Sequence, residues 1–290
     1  MRSLIQLLRP HQYIKNGFVL VGALFSHQWD IITLFHALLA FFAFCCMASA
    51  VYILNDILDI EADRIHPVKC HRPLPSGAIS RDAAKRVLLA LVAMSLVISL
   101  FVSYWVVFFV VTYFVINIFY SYSLKHVVIL DVFLISTGFM LRILAGTLGL
   151  DIAPSVWLLL CGLMVTLFLG FSKRRAELLM LESNENSSSR LARRVLDEYS
   201  PVMLEQFIAV TAACTVLSYG LYTVSPETIA MHGSDDLIYT LPFVVYGIFR
   251  YVYLLHHRSR GNDAAKDLLT DRHLLITVVF WVISTLWVLS

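Results

Sequence analysis

The sequence predicts an all-α integral membrane protein of about nine transmembrane helices, and three observations carry that prediction. Of its residues 59% are hydrophobic and 14% charged, against roughly 25% charged in soluble domains. Mean hydropathy is +0.77, and the apolar residues fall in blocks near the roughly 20 residues that a bilayer crossing requires. Lys and Arg are also sorted into alternate connections between those blocks. Little is left for a soluble domain, so residues 1–290 are expected to form a single transmembrane domain. The net charge of +2 implies no nucleic-acid partner.

Hydropathy places the helices near 14–28, 33–58, 81–102, 104–121, 129–148, 154–181, 201–223, 237–257 and 273–289. Before the first, "MRSLIQLLRPHQYIKNGF" does not read as a cleaved signal, because Arg9, Pro10 and Lys15 interrupt any apolar core. The first block is short. The second contains "HALLAFFAFCCMASAVYIL" and runs directly into an acidic end. The fourth is again short, and the fifth holds two ionisable residues, Asp131 and Arg142. The sixth ends in Lys173, Arg174 and Arg175, and the eighth carries Arg250 near enough to its end to snorkel. Gly138, Gly146 and Gly149 are expected to allow close helix packing. Four of the five cysteines sit in apolar runs without disulfide or metal-ligand spacing, and read as small buried hydrophobes.

Charge sets the expected orientation. The connections after helices two, four, six and eight carry Arg64, Lys69, Arg72, Lys125, Lys173, Arg190, Arg194, Arg258 and Lys266. The opposite connections, "SHQWDI", "GLDIAPS" and "VSPETIAMHGSDD", carry no Lys or Arg. By the positive-inside rule the first group and the N-terminus are expected in the cytoplasm, as for a multi-pass protein of the inner membrane.

The acidic end of the second helix, "NDILDIEAD", is the main chemical signal. Asp56, Asp59 and Asp63 share one helix face with Asn55 at its edge. Like charges at that spacing repel, and carboxylates at a helix C-terminus oppose the macrodipole. Positive charge is therefore expected beside them. Mg²⁺ is the natural candidate, since it takes oxygen ligands and bridges one or two carboxylates to phosphates. The plainer reading is a solvated helix end paired with Arg64 and Lys69. Zn²⁺ is excluded because His66 and His71 lie in the loop, off the carboxylate face. The following loop is stiffened by Pro67, Pro73, Pro75 and Gly77, and its Lys69 and Arg72 suit an anionic substrate.

Other polar residues fall at the same membrane face. Lys15 and Asn16 at the start of the first helix, Arg9 and Gln12 before it, and Lys125 and His126 before the fifth, could reach a phosphate or anchor to headgroups. Tyr120 and Tyr122 read as an interfacial belt. Asp131 and Arg142 are three turns apart on one face, so Arg142 is deep enough that an unpaired charge is costly. Both are candidates for substrate binding, or for a structural pair to another helix.

These segments resemble the UbiA superfamily of intramembrane prenyltransferases. "NDILDIEAD" fits N-D-x-x-D-x-x-x-D, and "RPLPSGAIS" is similar to the segment that follows it there. The resemblance covers essentially the whole chain. It implies a helical bundle around a cytoplasm-facing cavity, with a Mg²⁺-dependent diphosphate site at the mouth held by Asn55, Asp56, Asp59 and Asp63. Aromatic-acceptor members carry a second acidic motif near the end of helix six, where this chain has "GFSKRRAELLMLE". Lys173, Arg174 and Arg175 stand in place of the carboxylates and suit direct phosphate binding or anchoring. "LRPHQYIKN", "YSYSLKHVVILDV" and "SKRRAEL" resemble the decaprenyl-phosphate phosphoribosyltransferase branch; "GNDAAKDLLTDRHL" departs from its glycine-rich form.

That branch implies phosphoribosyl pyrophosphate as donor and a polyprenyl phosphate as acceptor, in lipid-linked pentose synthesis for envelope glycans. An ionised lipid phosphate needs no general base, consistent with the lack of a His–carboxylate pair at catalytic spacing. The alternative is an aromatic-acceptor polyprenyltransferase using an allylic diphosphate. A transporter of ions or lipid anions fits less well, because the charges crowd one face and no internal repeat is evident. Homo-oligomerisation is left open.

Overall fold

The computed structural model describes residues 2–26, 30–65, 69–183, 196, 198–257, 261 and 264–289. Among them there is no strand. The helices are α1 (Arg2–Leu8), α2 (Val21–Phe25), α3 (Ile31–Leu58), α4 (Ile60–Arg64), α5 (Arg81–Leu100), α6 (Tyr104–Tyr122), α7 (Leu130–Ala145), α8 (Val156–Ser183), α9 (Pro201–Thr223), α10 (Pro226–His232), α11 (Leu241–His257), α12 (Ala264–Thr270) and α13 (Arg272–Leu289). Eight described helical stretches are long and apolar enough to cross a membrane: α3, α5, α6, α7 with its extension to Leu150, α8, α9, α11 with the turn before it, and α13.

The expected first helix, 14–28, is not a regular α-helix. Arg9 adopts φ 53°, and from Pro10 to Leu20 the chain winds as an 11-residue 3₁₀ segment before the five residues of α2. A 3₁₀ helix rises about 2.0 Å per residue against about 1.5 Å for an α-helix, so these residues reach roughly 30 Å, a hydrocarbon thickness. The local cause is backbone contact. A Cβ on Gly146 would lie 1.7 Å from the Val19 carbonyl oxygen, and one on Gly22 2.0 Å from that of Gly146. The segment thus seats on the end of α7 where only glycine fits.

Two half-bundles meet across α7. Phe44, Met47 and Ile53 of α3 pack with Leu91 of α5 and Val106, Phe109 and Val110 of α6. Leu167, Phe168 and Phe171 of α8 pack with Leu204 and Ile208 of α9, Leu254 of α11 and Leu274 of α13. Alternating burial leaves Phe35, Phe42, Phe108, Phe119, Phe249, Phe280 and Trp287 exposed on the outside. So much exposed apolar surface is what a helix bundle presents to lipid. The protein is an integral membrane protein. Ser80, Ser103, Ser200 and Ser225 cap the helices that follow them.

Candidate active site

The acidic motif straddles a break in the second predicted helix. α3 ends at Leu58, Asp59 adopts φ −94° and ψ 8°, and helical hydrogen bonds from Asp59 N–H to Asn55 C=O and from Asp63 N–H to Asp59 C=O carry the chain into α4. On a helix Asp56 and Asp63 fall nearly above one another, while Asp59 is turned about 60° aside. The side chains divide accordingly. Asp56 and Asp63 are buried at 2% exposure each, and one Arg72 nitrogen, Nη1, donates to Asp56 Oδ1 at 3.1 Å and to Asp63 Oδ2 at 2.6 Å. Arg9 Nη2 donates to the same Asp56 oxygen at 2.6 Å, and Lys69 Nζ lies 3.7 Å from Asp63 Oδ1. Asp59 is more open and pairs with Lys125 at 3.2 Å. Asn55 Oδ1 accepts from the Ser121 hydroxyl.

Three aspartates therefore face four cations. The chain itself thus supplies positive charge where it was expected, without bearing on whether a metal joins it. Arg64, expected as one of those cations, turns instead to Glu61 of its own helix at 3.1 Å. Arg9 takes its place from 47 positions away, held over the Tyr52 ring.

The donor set nonetheless fits a divalent cation. Asp56 and Asp63 place two hard oxygens within 3.1 Å of one point of positive charge. Among the described residues no group of three His, Cys, Asp or Glu could hold a metal alone. Two carboxylates completed by waters and phosphate oxygens is the ligand set that Mg²⁺ takes.

A second polar cluster joins α6, α7 and α8. Fully buried Asp131 pairs with Arg174 Nε at 2.7 Å, and Arg174 also meets Glu177 and, at 3.4 Å, Tyr120. Arg175 pairs with Glu205 of α9 at 3.1 Å. The two arginines thus tie helices together, while Lys173 is half-buried beside them. Tyr120 and Ser121 are neighbours on α6, so its end touches both clusters at once.

Tyr199, which belongs to no motif in the sequence, closes this cluster. Its hydroxyl donates to Asp131 Oδ1 and accepts from the Ile129 backbone N–H, each at 2.7 Å. Burial and Asp131 push the phenol well above its usual pKa. Ile129 has φ 68°, in a tight turn where Leu130 N–H donates to Val128 C=O at 2.7 Å. A β-branched residue is strained there and persists only where its surroundings hold it. The only sequence signal available was the polar Tyr199 between a charged stretch and a helix.

Arg142 lies elsewhere. It is buried on α7, donates to Asn16 Oδ1 and Gly138 C=O at 2.7 Å each, and sits 4.5 Å from the Tyr113 ring centroid. Phe44 and Phe139 complete its aromatic surround. Phe44 precedes Asp56 by about three turns of α3, which puts Arg142 roughly 18 Å deeper than the acidic pair. Asn16 also donates to Cys45 Sγ at 3.2 Å. Arg142 therefore pairs with neither Asp131 nor any described carboxylate. Lys15 is half-buried on the 3₁₀ segment, and His126 and Tyr122 are exposed. Arg250, expected to snorkel, instead forks onto Asp271 at 2.8 and 3.0 Å. His66, Pro67, Arg190, Arg194, Arg258 and the stretch 184–189 lie outside the described residues.

A cavity of about 180 Å³, lined by Gly22, Phe25, Thr147, Tyr222 and Met231, lies at the far end of the bundle from the acidic pair.

A family profile described as the UbiA prenyltransferase family matches residues 17–283. Decaprenyl-phosphate phosphoribosyltransferase of Corynebacterium glutamicum is 32% identical, over 97% of this chain and 84% of its own. The enzyme of that name from Mycolicibacterium smegmatis is 31% identical, over 97% and 90%. A solved UbiA homolog from Archaeoglobus fulgidus, bound to GPP and Mg²⁺, superposes with a TM-score of 0.74 over 99% of each chain at 16% identity, which shows a shared fold.

Proposed function

The chain belongs to the UbiA prenyltransferase family, and from that premise we propose that it transfers the 5-phosphoribosyl group of phosphoribosyl pyrophosphate to a polyprenyl phosphate of decaprenyl type, releasing diphosphate. Support comes from the named relatives, which cover nearly the whole chain. The structural observation that carries it is the end of α8, where Lys173, Arg174 and Arg175 stand in place of a second acidic motif. Asp131 and Glu177, the carboxylates nearest a second site, are both taken up by Arg174. An allylic-diphosphate enzyme with two acidic clamps would carry carboxylates at that helix end in place of the three cations.

Asp56 and Asp63 would hold a Mg²⁺ ion, with Asn55 and Asp59 beside them. Bound there, the metal would supply positive charge to the departing diphosphate. Arg72, Lys69 and Arg9 would donate to diphosphate oxygens, and Lys125 to a second phosphate. Lys15, His126 and Lys173 remain candidates for phosphate contact at the helix ends, whereas Asn16 is buried beside Arg142 and Arg175 is held by Glu205. Arg174 and Asp131 hold the turn that carries Lys125. As the ribose C1–oxygen bond breaks, the electron pair leaves with diphosphate, and a lipid phosphate oxygen forms the new bond at C1. That oxygen is already ionised, so no proton need be removed. Catalysis then rests on positioning and charge. The charged end faces the cytoplasm in this reading, the membrane is the inner one, and the chain acts as one domain.

The test is label transfer. Purified protein in detergent receives Mg²⁺, a polyprenyl phosphate and labelled phosphoribosyl pyrophosphate, and the organic phase is counted with and without EDTA. Mg²⁺-dependent label in lipid is expected. Its absence from folded protein that accepts an allylic diphosphate would replace the donor.

A further inference from the structure

We propose that Arg72 is an internal cation that opposes binding of a free divalent ion and yields to it only when diphosphate arrives, so that metal and donor bind as a coupled pair. The proposal rests on the reading of Asp56 and Asp63 as the metal–diphosphate site. Arg72 Nη1 stands between the two carboxylates, 3.1 and 2.6 Å from their oxygens, where a shared metal would have to sit.

Charge gives the sign of the coupling. Asp56, Asp59 and Asp63 already face Arg9, Lys69, Arg72 and Lys125. A lone divalent ion would enter a cluster that is net positive before it arrives. Between near neighbours that repulsion is worth more than tenfold in affinity. Ligand number points the same way, because no third protein carboxylate, His or Cys completes the set among the described residues. Diphosphate removes both obstacles at once, bringing negative charge and further oxygen ligands.

The geometry lets Arg72 change partners. Its side chain is 32% exposed, while those of Asp56 and Asp63 are 3% exposed, so the guanidinium approaches from the open side. Its backbone is fixed in the turn by Arg72 N–H to Lys69 C=O and Ser76 N–H to Arg72 C=O, both 3.0 Å. Rotation of the side chain alone would move its planar fork from carboxylate to phosphate, a ligand it fits. Arg9 also sits on Asp56 Oδ1 but touches only that aspartate of the pair and lies over Tyr52. The residue that disfavours metal alone thus favours metal with its anion, and by linkage each ligand tightens the other.

Mn²⁺ binding, read by electron paramagnetic resonance of the protein-bound ion and corrected for complexes in solution, tests this. In wild-type protein Mn²⁺ alone should bind weakly, and inorganic diphosphate should tighten it tenfold or more. Arg72→Gln should bind Mn²⁺ alone at least tenfold more tightly, while the gain from diphosphate shrinks below threefold. Arg9→Gln should shift Mn²⁺ alone in the same direction, severalfold, and serves if Arg72→Gln does not fold. Wild-type protein that binds Mn²⁺ equally well without diphosphate would overturn the proposal. So would a folded variant whose affinity for Mn²⁺ alone is unchanged. Coupling seen with inorganic diphosphate but not with phosphoribosyl pyrophosphate would uphold the role of Arg72 and remove the phosphoribosyl donor.

Discussion

Removing the Asp131 carboxylate should destabilise the fold far more than a surface charge change would. Asp131 is 0% exposed and the Arg174 side chain 3%, with 2.7 Å between them. Taking one partner from a buried pair leaves the other charge uncompensated, at about 3–5 kcal/mol. Glu177 remains on Arg174, which argues for the lower end. Tyr199 loses its acceptor as well, for about 1 kcal/mol more, and with it the hold on the strained turn at Ile129. For a chain of this size roughly 3–5 kcal/mol lowers the midpoint by about 5–10 °C. Thermal unfolding of Asp131→Leu in detergent, followed by tryptophan fluorescence, measures it. Replacing the whole set, Asp131→Leu with Arg174→Leu and Glu177→Leu, should recover most of the loss, because buried ionic groups replaced together by packed apolar ones are often neutral. A single variant within 1 °C of wild type, on the order of measurement error and far below the expected shift, would refute the reasoning. So would a triple variant no more stable than Asp131→Leu alone.

Three further outcomes are expected. Asp56→Asn and Asp63→Asn should each lower turnover by roughly 100-fold or more with the protein still folded, the scale of lost charge stabilisation; Asp59→Asn, whose carboxylate is half exposed beside Lys125, should lower it less. Steady-state label transfer ranks the three. Gly146→Ala should destabilise by about 3 kcal/mol, because the new Cβ meets backbone rather than a flexible side chain. Gly17→Ala, with nothing within 4 Å of the new atom, is the control in the same melting experiment. Hydrogen bonding from Arg250 pulls the Asp271 carboxyl down to about 2. Its folded-state pKa is depressed, so the stability it adds is full above about pH 4, the unfolded value, and is lost as pH falls toward 2. Melting temperatures of Asp271→Asn and wild type should converge over that range and separate at pH 7.

What the sequence determined by itself was local. Apolar blocks between charged connections specify helices wherever they lie, because periodicity and length need no partner; α3, α8 and α9 begin and end within two residues of their expected limits. The phase of Asp56 and Asp63 on one face follows from the helical repeat alone. Tertiary structure decided what meets what. Arg64 was the nearest cation along the chain, yet the buried carboxylates took Arg9 and Arg72. Arg142 and Asp131 share a helix face, yet one found Asn16 and aromatic rings, the other Arg174 and Tyr199. The first segment reads as a short α-helix until Gly146 presents backbone to Val19 and draws it into a longer 3₁₀ winding. Ion pairing in a membrane depends on which helix ends the bundle brings within a few ångströms, and Coulomb energy does not depend on separation in sequence.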